Sequence, residues 1–173
     1  MTHYSAIVPQ QNRAEEVRRQ LPALMETLSS LGQAFEIIVV DDGSSLPNLR
    51  QLDQLLGQWT SLRLVRLDRP SGVSVALAAG IQAARGEVIF AIEAGEHYPA
   101  SQLVHLAGWL DRADLVVGRR RRFGWSKFYQ RVTRLPRALL LGLDSHDPDC
   151  LFWAARREVL VELTLMPGMA RYL

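Results

Sequence analysis

Residues Phe35 to Val40 read FEIIVV, and the chain passes directly from them into Asp41-Asp42-Gly43-Ser44. An apolar run of this kind, rich in β-branched residues, marks a strand covered on both faces, as in a parallel sheet. Parallel neighbours require crossover connections, usually helices. The run therefore obliges the rest of the chain to alternate strands with helices. Tyr4 to Val8 reads as a strand ended by Pro9, and Ala14 to Leu31 as a helix that Pro22 should kink or split. Asn48 to Trp59 is a second amphipathic helix, and Leu62 to Leu67 (LRLVRL) a third strand. Gly72 to Ala84 is a small-residue helix able to pack closely on a sheet, and Glu87 to Ile92 (EVIFAI) a fourth strand. Ala100 to Arg112 reads as helix and Asp114 to Gly118 as a fifth strand. The order predicts an α/β fold, a doubly wound and mostly parallel sheet with helices on both faces.

The 173 residues suit one domain, and 48% hydrophobic residues suffice for a core without staples. Cys150 is the single cysteine, so no intrachain disulfide forms and the cytoplasm is the expected compartment. No apolar run reaches 18 residues, and the N-terminus lacks the basic start and long apolar stretch of a signal peptide. The net charge of +2 is unevenly spread: residues 119–137 hold 8 Lys/Arg and no acid. Anionic partners are expected there.

In a sheet of this type ligands bind beyond the carboxyl ends of the strands. Pro9 to Arg13, Asp41 to Ser45, Pro70 to Gly72 and Glu93 to His97 should line that crevice. No G-x-G-x-x-G follows the first strand and no G-x-x-x-x-G-K-[ST] occurs, which argues against dinucleotide oxidoreductases and P-loop NTPases. Two adjacent carboxylates at the end of a buried strand are costly unless they receive hydrogen bonds or face a ligand. Asp42 either accepts from a nucleotide base or ribose, or closes a turn and caps the next helix.

The order of motifs resembles the family 2 glycosyltransferases of GT-A fold, above all the polyprenyl- (dolichol-) phosphate sugar transferases. Pro9 and Asn12 match a P-x-x-N-E in which Arg13 replaces the Glu. Val40 to Ser44 match V-D-D-G-S, and Arg69, Pro70, Gly72, Ala76, Ala78 and Gly80 follow a glycine-and-alanine pattern that here lacks both its asparagines. Ala84 to Glu87 parallel A-R-G-D, and Asp147, Cys150, Phe152, Arg156, Arg157 and Glu158 a D-x-x-C-G-F-x-x-x-R-R-E segment. The resemblance implies a single GT-A-like domain over residues 1–173, stopping short of the family's usual C-terminal extent. It implies transfer of a sugar from a UDP- or GDP-linked donor to a polyprenyl phosphate or similar acceptor. Pro9, Asn12, Asp41, Asp42, Gly72 and Glu93 would bind the nucleotide. Arg119, Arg120, Arg121, Arg122, Asp147 and Arg156 would lie on the acceptor and membrane side.

The resemblance also implies a divalent cation, Mg²⁺ or Mn²⁺, held by a D-A-D-x-Q string. Here that string is Glu93-Ala94-Gly95-Glu96-His97. Glu93 and His97 are the candidate ligands, with Glu96 able to join them and the imidazole tilting the site toward Mn²⁺ or Zn²⁺; the alternative is that all three are solvated turn residues. Transfer is expected to be absent or slow, and the alternative function is a catalytically impaired relative that binds a nucleotide or a partner. No residue presents itself as a general base; a phosphate acceptor, already anionic, needs none.

Residues 119–137 interleave arginine with Phe123, Trp125, Phe128 and Tyr129. This composition fits a peripheral contact with an anionic membrane, at the inner face, or a solvated basic loop. It also occurs in single-strand nucleic-acid binders, but no other part of the chain supports a nucleic-acid partner.

Overall fold

The structure is a computed structural model that describes residues 3–95, 98–118 and 151–162. Strands β1 (Tyr4–Gln10), β2 (Phe35–Asp42), β3 (Leu62–Leu67) and β4 (Val88–Ile92) alternate with helices α1 (Ala14–Ser30), α2 (Leu46–Leu56) and α3 (Val73–Ala83). Helix α4 (Gln102–Trp109), β5 (Leu115–Val117), β6 (Phe152–Arg156) and α5 (Arg157–Glu162) follow. One six-stranded sheet has the order β3-β2-β1-β4-β6-β5. β1 pairs in parallel with β2 and β4, and β2 with β3. β6 lies antiparallel between β4 and β5.

Strand residues alternate between the two faces, as the period of two demands. Ala6, Val8, Ile37, Val39, Phe90 and Ile92 join one buried cluster with the apolar stripes of α1, α2 and α4. Ile7, Ile38, Val40, Ile89 and Ala91 join a second with α3 and Leu160 of α5. The small residues of α3 let it settle close to the sheet. A Cβ placed on Gly80 would meet Ile7 Cγ2 at 2.5 Å, so only glycine permits this approach.

Two expectations are corrected. Pro9 does not end β1; it pairs with Val40 one residue before the strand closes. Pairing with β4 has already stopped at Ile7–Ala91, so Pro9 falls where the ladder has opened on one side, a place that tolerates proline. Pro22 does not split α1, which runs unbroken for 17 residues. The ring sits on the exposed side of the helix, where the carbonyl it deprives of a partner reaches water. The structure also adds a buried strand, β6, where the sequence reading assigned no element. Helix ends otherwise differ from the sequence reading by one to three residues, as fraying ends do.

Candidate functional site

The strand order reverses between β1 and β4, and there a cleft of about 570 Å³ opens at the carboxyl ends. Its volume lies within the range of small-ligand sites, about 300–1,000 Å³. Pro9, Gln10, Gln11 and Arg13 line it from the first strand and loop, Asp42 from β2, Gly72, Val73 and Ala76 from α3, and Glu93 and Leu151 from the far side.

β2 delivers the two aspartates into different hydrogen-bond shells. Asp41 is buried and accepts from the Gln10 side-chain amide and from the Ser44 backbone amide at 3.2 Å. Asp42, also buried, accepts from the backbone amides of Ser71 at 2.7 Å and Gly72 at 2.8 Å. Its carboxylate thus fixes the entry of α3, where the positive end of the helix dipole favours an anion. The two readings of Asp42 coincide in one residue: it closes this turn, and it lines the cleft. The turn between the aspartates and α3 is tight. Gly43 has φ +64°, and a Cβ there would lie 2.4 Å from the Arg69 carbonyl carbon. Glycine is required on both counts.

The loop after β1 is laced to the loop after β2. Asn12, at φ +53°, accepts from the Ser45 amide at 2.9 Å and the Ser45 hydroxyl at 3.0 Å, and its own amide donates to Ser44 Oγ at 2.8 Å. Asn tolerates the left-handed region better than most residues. Asn12 therefore holds two loops together beside the cleft, which it does not line. Of the other nucleotide-site expectations, the structure brings Pro9, Asp42, Gly72 and Glu93 to the cleft wall and sets Asp41 directly behind it.

Sequence reading placed Gln10 and Arg13 on the crevice only as part of the stretch Pro9 to Arg13, without a role, and it missed Gln20. Gln10 bridges the loops, donating to Asp41 and to Ser44 Oγ at 3.2 Å while accepting from the Arg13 amide at 2.8 Å. Gln20 of α1 is buried and clamps the turn after β4, donating to the Glu93 carbonyl at 3.2 Å and accepting from the Gly95 amide at 3.3 Å. Its signal was a polar side chain on the apolar stripe shared by Val17, Leu21 and Leu24. Arg13 reaches across the cleft, donating from Nη1 to the Ala94 carbonyl at 3.2 Å. The same nitrogen lies 3.6 Å from Glu93 Oε1.

That pairing bears on the expected cation. Glu93 faces a guanidinium, and Gly95 offers no side chain. Among the described residues no group of three His, Cys, Asp or Glu side chains could hold a metal ion. Glu96 and His97 lie outside the described residues, as do Arg119 to Arg122 and Asp147. Of the candidate ligands the structure describes Glu93, and its place beside the Arg13 guanidinium works against a divalent cation there.

Arg156 is placed elsewhere than expected. β6 is antiparallel, so its carboxyl end meets the amino end of β4, with Arg156 opposite Val88. There its guanidinium donates to the Leu110 carbonyl at 2.9 Å and lies 3.5 Å from Asp114. It sits at the end of the sheet remote from the cleft. Glu36 is buried at that same end and accepts from Ser5 Oγ at 2.8 Å, Arg63 Nη1 at 2.5 Å and the Arg85 amide at 2.7 Å. Burial pushes its carboxyl up, but these donors outweigh burial and hold it below the ordinary value.

Relatives of known name share this chain's sequence over most of its length. The undecaprenyl-phosphate 4-deoxy-4-formamido-L-arabinose transferase of Pseudomonas paraeruginosa is 28% identical over 90% of this chain and 48% of its own length. The dodecaprenyl-phosphate galacturonate synthase of Rhizobium johnstonii is 27% identical over 98% of this chain and 52% of its own. The chain thus spans about half the length of these relatives. A mannosyltransferase from Pyrobaculum calidifontis, solved with GDP-Man and Mn²⁺, superposes at TM-score 0.69 with 21% identity, covering 95% of this chain and 47% of that one. Glucosyl-3-phosphoglycerate synthase from Mycobacterium tuberculosis, solved with Mn²⁺, UDP-glucose and phosphoglyceric acid, superposes at 0.72 with 21% identity, covering 97% and 61%. The fold is that of the GT-A glycosyltransferases. The model of the family described as Glycosyl transferase family 2 matches residues 5–164, and the chain belongs to that family.

Proposed function

We propose that the cleft binds a nucleoside diphosphate sugar, UDP- or GDP-linked, and that the sugar passes to a polyprenyl phosphate. The observation that carries this reading is Asp42. A buried carboxylate at the carboxyl end of β2 borders an open cleft at the point where strand order reverses. Support comes from relatives named for polyprenyl-phosphate sugars and from fold neighbours solved with GDP-Man and UDP-glucose. In this reading the nucleoside lies against Asp41 and Asp42, and the diphosphate extends between α3 and Glu93. Charge growing on the leaving diphosphate must be met by cationic groups. The acceptor phosphate attacks without a general base, being anionic near neutral pH.

Among the described residues no helix is long and apolar enough to cross a membrane. The acceptor's lipid would be met through peripheral association, for which residues 119–137 carry the charge. The test is transfer of radiolabelled sugar from UDP-glucose and GDP-mannose to a polyprenyl phosphate, alongside calorimetry with UDP and GDP. Nucleotide binding weakened in Asp42→Ala is the expected result. A chain that binds neither nucleotide overturns the reading. Binding without transfer selects the second reading, a binding module, which the pairing of Glu93 with Arg13 favours.

A further inference from the structure

We propose that Arg13 takes the place of a divalent cation in this cleft, so that the diphosphate is held by a guanidinium and binding is independent of metal. The proposal rests on the nucleotide reading of the cleft. Among the described residues that line it, Arg13 is the basic side chain. Its guanidinium is steered by the Ala94 carbonyl and the Glu93 carboxylate, neighbouring residues at the start of the turn after β4. Only Nη1 is engaged among the described residues, and the side chain is 46% exposed. The remaining donors of the fork are left to meet an anion. A guanidinium suits this task, since it pairs with phosphate oxygens through two parallel hydrogen bonds.

The same geometry works against a metal. Among the described residues Glu93 is the carboxylate that the turn after β4 brings to the cleft, and the Arg13 guanidinium stands 3.6 Å from it. A cation drawn to Glu93 must approach Arg13 too, and like charges at such range repel. Gly95 withdraws a second carboxylate from the turn, and its amide is already given to Gln20. Relative to the motifs this chain resembles, an acid becomes Arg13 and another becomes Gly95. Both changes move the cleft in the positive direction, the same direction in which a bound cation would move it.

Arg13 is also well placed to stay where it is needed. It precedes α1 directly, its amide is fixed by Gln10, and Gln20 two turns later holds the turn that carries Glu93 and Ala94. The cation and its counter-groups are therefore anchored to one helix.

Calorimetry of the full chain with UDP and with GDP, in EDTA and then with excess Mn²⁺, tests this. Affinities in the two conditions should agree within about threefold, and Arg13→Gln should weaken UDP or GDP at least tenfold. Gln keeps an amide that reaches toward Ala94, and circular dichroism checks that the variant remains folded. Uridine and guanosine, lacking phosphates, should bind wild type and Arg13→Gln alike, a result a general loss of structure would not give. Binding that needs Mn²⁺ overturns the proposal and leaves the nucleotide reading standing. An Arg13→Gln variant that binds UDP and GDP as wild type also overturns it. Absence of nucleotide binding in both conditions overturns the nucleotide reading and this proposal together.

Discussion

β2 buries Glu36 at its amino end and Asp41 and Asp42 at its carboxyl end, and the two ends are used differently. At the amino end Glu36 receives a hydroxyl, a guanidinium and a backbone amide. Arg63, its ionic partner, also donates to the Ala83 carbonyl at 2.9 Å, and Ser5 accepts from the Gly86 amide at 2.9 Å. Every donor there serves the protein itself. At the carboxyl end Asp42 receives two backbone amides and borders open space. Burial is nearly equal, 5% exposed for Glu36 and 6% for Asp42. What separates a structural carboxylate from a candidate ligand site is thus not depth but whether the surrounding donors form a closed shell.

Removing the closed shell should cost most. Glu36→Ala leaves the Arg85 amide and the Arg63 guanidinium without their acceptor, and should lower unfolding free energy by about 2–4 kcal/mol in urea melts. Affinity for UDP or GDP per folded molecule should not change. The pH response sharpens the contrast. Glu36 has a lowered pKa in the fold, so its contribution is present above the ordinary carboxylate value and is lost as pH falls below it. Glu36→Gln should therefore flatten the stability profile on the acid side of about pH 4.5.

At the other end, Asp42→Ala should weaken UDP or GDP binding by about 1.5–3 kcal/mol, the range for hydrogen bonds to a charged group. Unchanged affinity in a folded variant would erase the distinction between the two ends. Gln20→Ala should be milder, costing about 1 kcal/mol of stability through two lost hydrogen bonds, together with a measurable loss of nucleotide affinity. Arg156→Ala should have the smallest effect, about 0.5 kcal/mol in melts, since its ion pair is largely exposed. Its nucleotide affinity should match wild type, because the residue lies at the amino end.

The parallel half of the sheet was legible because each strand there is a local apolar run and each helix a local stripe. Phe35 to Val40 became β2 and Leu62 to Leu67 became β3 with little adjustment. β6 was not legible in the same way. FWAAR is too short to declare a period, and its antiparallel pairing with β4 joins residues far apart in sequence. Arg156 was assigned to the acceptor and membrane side from its motif match alone, which carries no strand direction; the reversal in β6 sets it at the amino end of β4. At the site, Asp42 and Glu93 were found from their place after apolar strands. The roles of Gln10 and Gln20 escaped because a buried amide has no spacing rule; it is recognised only when its partners from other elements are known.

The insertion of β6 between β4 and β5 has a consequence for where the basic segment is held. β5 ends where β6 begins, and the Gly118 amide donates to the Phe152 carbonyl at 2.7 Å. The two points from which residues 119–150 depart and return are stitched side by side, on the same end of the sheet as the cleft that Leu151 lines. A segment whose two anchors are a single hydrogen bond apart is tied to one place on the sheet, so the positive charge of residues 119–137 is tethered at both ends to the rim of the cleft.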